Sequence, residues 1–308
     1  SSSDEVLETG WLGRSLEVKY PGFPTGYPNA QMPDPLAINI GTTLPFSLQG
    51  QQLNLGYSTS DPQSLLNIIN DTSGIVPNTD YGFELSFLRL MKDQSNVYSN
   101  SIKTAYQYSY QDNIAYSTDQ LAQQLKIVAR LINGGLKTPV YIVKHPFSFD
   151  SHEFQVNTGS KQTGKHADNL KILSDAIFAF QQDLLRLNKA EIVAGMTFSE
   201  FGRRIKSNDS LGTDHGVGAP VFFFGAALYQ VADSTGSSAM RIKGMVGEAP
   251  ELPQQATVQD QIAMQFDYRQ IYTSVMQDWL GMTKEEADDV LGGSYAKLPI
   301  FQPVEILP

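Results

Sequence analysis

The 308-residue sequence contains no cysteine. That excludes disulfides, thiolate nucleophiles and zinc held by sulfur. Positive charge is also scarce: 22 Lys and Arg stand against 32 Asp and Glu, giving a formal net charge of −10. A nucleic-acid partner needs a basic stripe to neutralise phosphates. Only Arg203-Arg204 and the stretch from Lys161 to Lys165 gather any basic residues. No apolar run approaches the roughly 18 residues that would suggest a membrane span. The opening residues SSSDEVLETG carry no export signal, although processing removes such segments. There is no internal repeat and no low-complexity tract. Histidine is nearly absent too, with four in the whole chain.

What is present fits a folded α/β protein. Hydrophobic residues at 41% and charged residues at 18% are ordinary for a globular chain, and the length allows one large domain. Plentiful Tyr, Phe, Asn, Gln and Ser lean toward an exported or carbohydrate-rich setting. Residues 1–60 are rich in turn signals after a short helical start around Leu12–Leu16. PLAINIGTTLPFSLQGQQLNLGY alternates around Ala37, Ile38, Ile40, Leu53 and Leu55, which predicts a hairpin or small antiparallel sheet. One or two helices are expected over 79–110. In STDQLAQQLKIVARLI, Ser117 can cap with Gln120, Leu121, Leu125, Val128 and Ile132 share a face, and Gly134-Gly135 ends the helix.

TPVYIV (138–143) then reads as a buried strand. The helix HADNLKILSDAIFAFQQDLLRLNKA carries Leu170, Leu173, Ile177, Phe180, Leu184 and Leu187 on one stripe. EIVAGMTF (191–198) reads as the next strand, so strand–helix–strand spacing predicts a crossover and a parallel sheet. A further strand is expected in 219–228, a late helix in 258–281 and a short last helix in EEADDVLGG.

Function in open parallel sheets gathers where strands end. The loop after 138–143 carries His145, Asp150, His152 and Glu153; the one after 191–198 carries Ser199, Glu200, Arg203 and Arg204. Asp214 and His215 follow in TDHG. Nitrogen and oxygen donors of this kind suit a divalent metal, zinc above all, with manganese or calcium as alternatives. A nearby arginine suits an anionic ester, because its planar fork matches phosphate or sulfate oxygens. Each residue also has a plainer role open to it. His145 before Pro146 fits a structural place, and His166 at a helix start fits the surface. Asp214-His215-Gly216 fits a turn, and Arg203 fits a bridge to a neighbouring carboxylate.

Longer motifs resemble a known family. FDSHEFQ, the helix KHADNLKILSDAIFAFQQDL and the run MTFSEFGRRIKSNDSLGTDHGVGAP resemble the domain-of-unknown-function family 1501. GWLGRSLE and DYRQIYTSVMQDWLG resemble its flanking segments. The resemblance implies a place in the alkaline phosphatase and sulfatase superfamily, with a three-layer α/β/α sandwich, a mostly parallel sheet and a periplasmic or secreted location. It also implies that the chain, one domain over 1–308 with residues 1–60 an irregular insertion, lacks an N-terminal portion that would carry the nucleophile. Laid on this sequence, the superfamily pattern makes Asp150, His152 and His215 metal ligands, with His166 and Asp214 as further candidates. Glu200 becomes a ligand or general base, and Arg203 the group that grips the ester. Phe201 falls where a second-metal histidine belongs. The expectation is an exported metal-dependent hydrolase of phosphate or sulfate esters acting on a small molecule or glycan. Its alternative is a non-catalytic cell-envelope protein that binds a glycan or protein partner through a degenerate site.

Overall fold

A computed structural model describes residues 8–65, 76–228, 241–242 and 244–302. They fall into two units, one ending at Lys144 and the other beginning at His145.

The first unit is organised by helix α1 (Trp11–Lys19), strand β1 (Ala37–Ile40), strand β2 (Gly56–Thr59), helices α2 (Asp80–Gln107) and α3 (Gln120–Asn133), and strand β3 (Val140–Ile142). The segment expected to form a hairpin does not. β1 and β2 run parallel, Ala37 opposite Gly56 and Ile40 opposite Thr59, and β3 joins β1 from its other side, also parallel. The order is therefore β2-β1-β3. The connection explains the difference. Between the strands the chain folds through a 3₁₀ turn at Phe46–Leu48, whose Leu48 is fully buried. That path returns the chain to the starting edge of the sheet, which a two-residue turn cannot do. All four residues of β1 are buried, as a central parallel strand requires. Leu16, Met32, Leu36, Ala37, Leu48, Leu55 and Ile142 pack into one core.

The predicted helix over 117–132 forms, with its cap shifted. Asp119, not Ser117, accepts the Ala122 amide, while Ser117 Oγ accepts the Asp119 amide. At the other end Gly135 takes a left-handed φ of 87°, which glycine adopts without Cβ strain, and Leu136 donates back to Leu131. The region 79–110 resolves to one helix, capped by Thr79.

Among its described residues the second unit contains helix α4 (Lys165–Arg186) and then three short strand pairs and two further helices. β4 (Gly195–Met196) pairs antiparallel with β7 (Phe223–Phe224), and β5 (Gly202–Arg203) with β6 (His215–Gly216). β8 (Arg241–Ile242) pairs with β9 (Met245–Val246). The strand expected over 191–198 is thus short and antiparallel, preceded by a 3₁₀ turn at Ala190–Ile192. Thr197 extends the pairing through both its amide and its hydroxyl to Phe222. On α4 the buried positions are Asn169, Ala176, Ala179, Phe180, Asp183 and Leu184, so Leu170 of the expected stripe faces outward. Of the late helix expected over 258–281, α5 (Tyr268–Ser274) begins only at residue 268 and continues as a π turn to Trp279. Asp267 sets that start through a capping box with Gln270. Helix α6 (Lys284–Leu291) follows. Leu298, Ile300 and Phe301 close this part of the core against Trp279 and Phe223. The described residues are a mixed α/β protein with a three-stranded parallel sheet, and none of their helices is long and apolar enough to cross a membrane.

Candidate metal centre

Two loops meet to form the site, and their backbones are fastened together. Phe154 donates to Ser210, Gln155 to Leu211 and Thr213 to Ser151, with an isolated bridge between Glu153 and Leu211. Asn208 adds a side-chain bond to the His152 carbonyl at 2.7 Å. At this seam Phe154 and Leu211 hold φ of 51° and 58°. Left-handed backbone in such bulky residues costs about 1–3 kcal/mol each and is found where surrounding contacts over-determine it. Gly212 is required by close approach: a Cβ there would lie 2.1 Å from the His152 carbonyl oxygen.

The β5–β6 pair then sets Arg203 directly opposite His215. From these supports Asp150, His152 and His215 bring three donor atoms together. Asp150 Oδ1 lies 3.1 Å from His152 Nε2 and 3.1 Å from His215 Nε2, and the two Nε2 atoms are 3.0 Å apart. The result is a nearly equilateral triangle of one carboxylate oxygen and two imidazole nitrogens. Zinc ligands at about 2.0–2.1 Å from the ion stand roughly 3.3–3.4 Å apart in a tetrahedron and about 2.9 Å apart in an octahedron. The observed edges fall between these, so the donors have the spacing of three ligands on one ion.

Electrostatics point the same way. Asp214 Oδ1 accepts from His152 Nδ1 at 3.2 Å, which leaves the Nε2 lone pair of a neutral His152 directed at the triangle. Asn208 supports Asp214 at 3.4 Å, and both bonds hold the Asp214 carboxyl below the usual carboxylate range, His152 most. Asp150 is likewise held low, chiefly by Arg203 Nη1 at 2.7 Å. An aspartate oxygen and an imidazole nitrogen therefore face each other at 3.1 Å, a spacing that suits a shared proton or two ligands on one ion. A cation between them satisfies both. The side chains of Asp150, His152 and His215 are 38–49% exposed, so a ligand from solvent can reach them.

The other residues singled out in the sequence take different places. Arg203 is engaged through each of its three nitrogens: Nε donates to Thr213 Oγ1 at 2.9 Å, Nη2 to the Thr213 carbonyl and Nη1 to Asp150. Its contacts are those of a residue that orients Asp150. Arg204 ties the site to the 258–259 loop through Val258 and Gln259. His166 stands outside the donor group, edge-on to Phe149, and burial pushes its imidazole pKa down, with Arg203 adding to the effect. His145 is structural, its ring nitrogens occupied by the backbone of Phe147 and Asn169. Glu200 is exposed and outside the three-residue group, as is Glu153. Phe201 has a role that sequence reasoning missed: its ring stacks on the His215 imidazole at 3.6 Å and 17°. Its place in SEFG only marked it as standing where a second-metal histidine belongs.

Comparison with curated proteins and with solved structures gives no match. A family model described as "Protein of unknown function (DUF1501)" matches residues 8–292, a span that contains the whole of this centre and all but the ends of the chain. The chain belongs to that family.

Proposed function

We propose that the protein is an exported hydrolase of phosphate or sulfate monoesters that works with one divalent ion, built on an alkaline-phosphatase-like α/β/α sandwich. The observation that carries this reading is the triangle of Asp150 Oδ1, His152 Nε2 and His215 Nε2 with edges of 3.0–3.1 Å. Zinc suits the mixed nitrogen and oxygen donors best, with manganese or calcium as alternatives. When bound, such an ion supplies a Lewis acid for an ester oxygen and lowers the pKa of water to about 7.

The chain's own residues do the positioning. Arg203 keeps Asp150 ionised and aimed, Asp214 fixes the tautomer of His152, and Phe201 fixes the plane of His215. In the overall reaction a water oxygen bonds to phosphorus or sulfur, the bond to the alcohol oxygen breaks, and that oxygen takes a proton. Export rests on the resemblance and on the cysteine-free composition. A second reading, a non-catalytic envelope protein with a single structural ion, is favoured by Phe201, whose ring covers one face of His215.

Metal content of purified protein, read beside hydrolysis of 4-nitrophenyl phosphate and sulfate, tests both. About one ion per chain, lost in His215→Ala together with turnover, supports the hydrolase. An ion without turnover of either ester favours the binding protein, and no ion in either protein sinks the metal reading.

A further inference from the structure

A cleft of about 690 Å³ opens beside the donor triangle and shares Asp150 and His152 with it. Its volume lies within the roughly 300–1,000 Å³ usual for small-molecule sites. One wall is the 147–153 loop, including Phe147 and Glu153; the other is Lys165, Asp168, Asn169 and Ile172. Those four stand at helical spacings of three and four residues, so one face of α4's first two turns forms the wall.

The chemistry of the lining is selective. Phe147 is 57% exposed and offers an apolar ring face. Glu153 and Asp168 are exposed carboxylates, Asn169 a buried amide held by Ser148 at 3.0 Å, and Lys165 the lysine of the lining, set 5.7 Å from the Phe154 ring. Away from the triangle, two carboxylates (Glu153, Asp168) stand against one lysine, which disfavours the further charges of a polyanion such as a nucleoside triphosphate. The same carboxylates and amide accept hydrogen bonds from hydroxyl groups, and charged acceptors make the stronger ones. An aromatic face attracts the C–H edges of a saturated ring through its quadrupole.

We propose that this cleft holds the neutral, hydroxyl-rich sugar of a sugar monoester while the single anionic group lies at the triangle. The assignment rests on the metal-site reading above, and it adds the class of alcohol that the ester carries. Asp168 and Glu153 accept sugar hydroxyls, and Phe147 covers one face of the ring.

The test is calorimetric titration of the zinc-loaded full chain with glucose 6-phosphate, glucose 6-sulfate, inorganic phosphate, inorganic sulfate and ATP. Zinc content is measured on every sample. The sugar esters are expected to bind at least about tenfold tighter than the inorganic ions, and Asp168→Asn and Phe147→Ala to lose about five- to tenfold at unchanged zinc content, the scale of one charged hydrogen bond or one aromatic contact. Sugar esters that bind no tighter than the inorganic ions, variants that bind as the wild type does, or ATP as the best ligand would each overturn the assignment while leaving the metal site standing. A wild-type chain that takes up no zinc overturns both readings at once.

Discussion

Gly212→Ala tests the construction of the candidate metal centre without touching any of its three donors. Gly212 has no left-handed φ, so alanine is acceptable to its backbone and only space is at issue. The added Cβ would meet the His152 carbonyl oxygen at 2.1 Å, its carbon at 2.2 Å and the Glu153 nitrogen at 2.6 Å. All three are backbone atoms, so no side chain can swing aside. Restoring ordinary contact of about 3.5 Å requires the two loops to part by roughly 1 Å or more. The two edges that cross between the loops, from His215 Nε2 to Asp150 and to His152, would open from 3.0–3.1 Å to about 4 Å, and the Asp214 bond to His152 would break with them. Crowding of this kind costs about 1–3 kcal/mol of stability. Misplaced ligands cost about 10–100-fold in metal affinity, the loss seen when the partners that orient ligands are removed. Competition for zinc against a chromophoric chelator, beside a thermal melt of metal-free protein, measures the two effects. Ser210→Ala, an exposed change in the same loop, is the control and should match the wild type. A Gly212→Ala protein with wild-type zinc affinity refutes the argument that close approach of these loops builds the site.

Asp214→Ala should leave the three donors in place yet free the His152 ring, lowering zinc affinity about tenfold or more in the same chelator assay. Asp267→Ala removes the α5 capping box and the bond to Arg269, for a loss of about 1 kcal/mol in chemical denaturation at neutral pH. Arg269 lowers the Asp267 pKa in the folded state, so the contribution is present above the unfolded value of about 3.9 and fades as pH falls through the folded one. The gap between wild type and variant should therefore narrow below about pH 4; a gap that widens there refutes the assignment.

The sequence was most readable where local chemistry decides the outcome. The apolar stripe of α3 and the glycines after it lie within a few residues of one another, and both formed as expected. Asp150, His152 and His215 were legible because FDSHEF and TDHG are dense in metal-binding residue types, although 65 positions separate the first donor from the last. What could not be read was decided by distant partners. The direction of β2 depends on how the 41–55 connection folds over Leu48, and alternation of apolar residues is the same in either direction. Of the two roles the sequence left open for Arg203, the carboxylate bridge is the contact seen, and it depends on Asp150 and Thr213, 53 and 10 residues away. Phe201 stood out only as a missing second-metal histidine, since its stacking partner His215 arrives from the opposite strand.

The wide separation of the donors along the chain bears on the lifetime of the protein. An ion held by Asp150 and His215 would tie together positions 65 apart in sequence, and by binding the folded chain and not the unfolded one it would stabilise the fold. Its contribution grows with the logarithm of free metal, about 4.1 kcal/mol at a thousandfold excess over the dissociation constant. Resistance to proteolysis would then follow the metal supply of the compartment, and starvation for the ion would mark this chain for degradation.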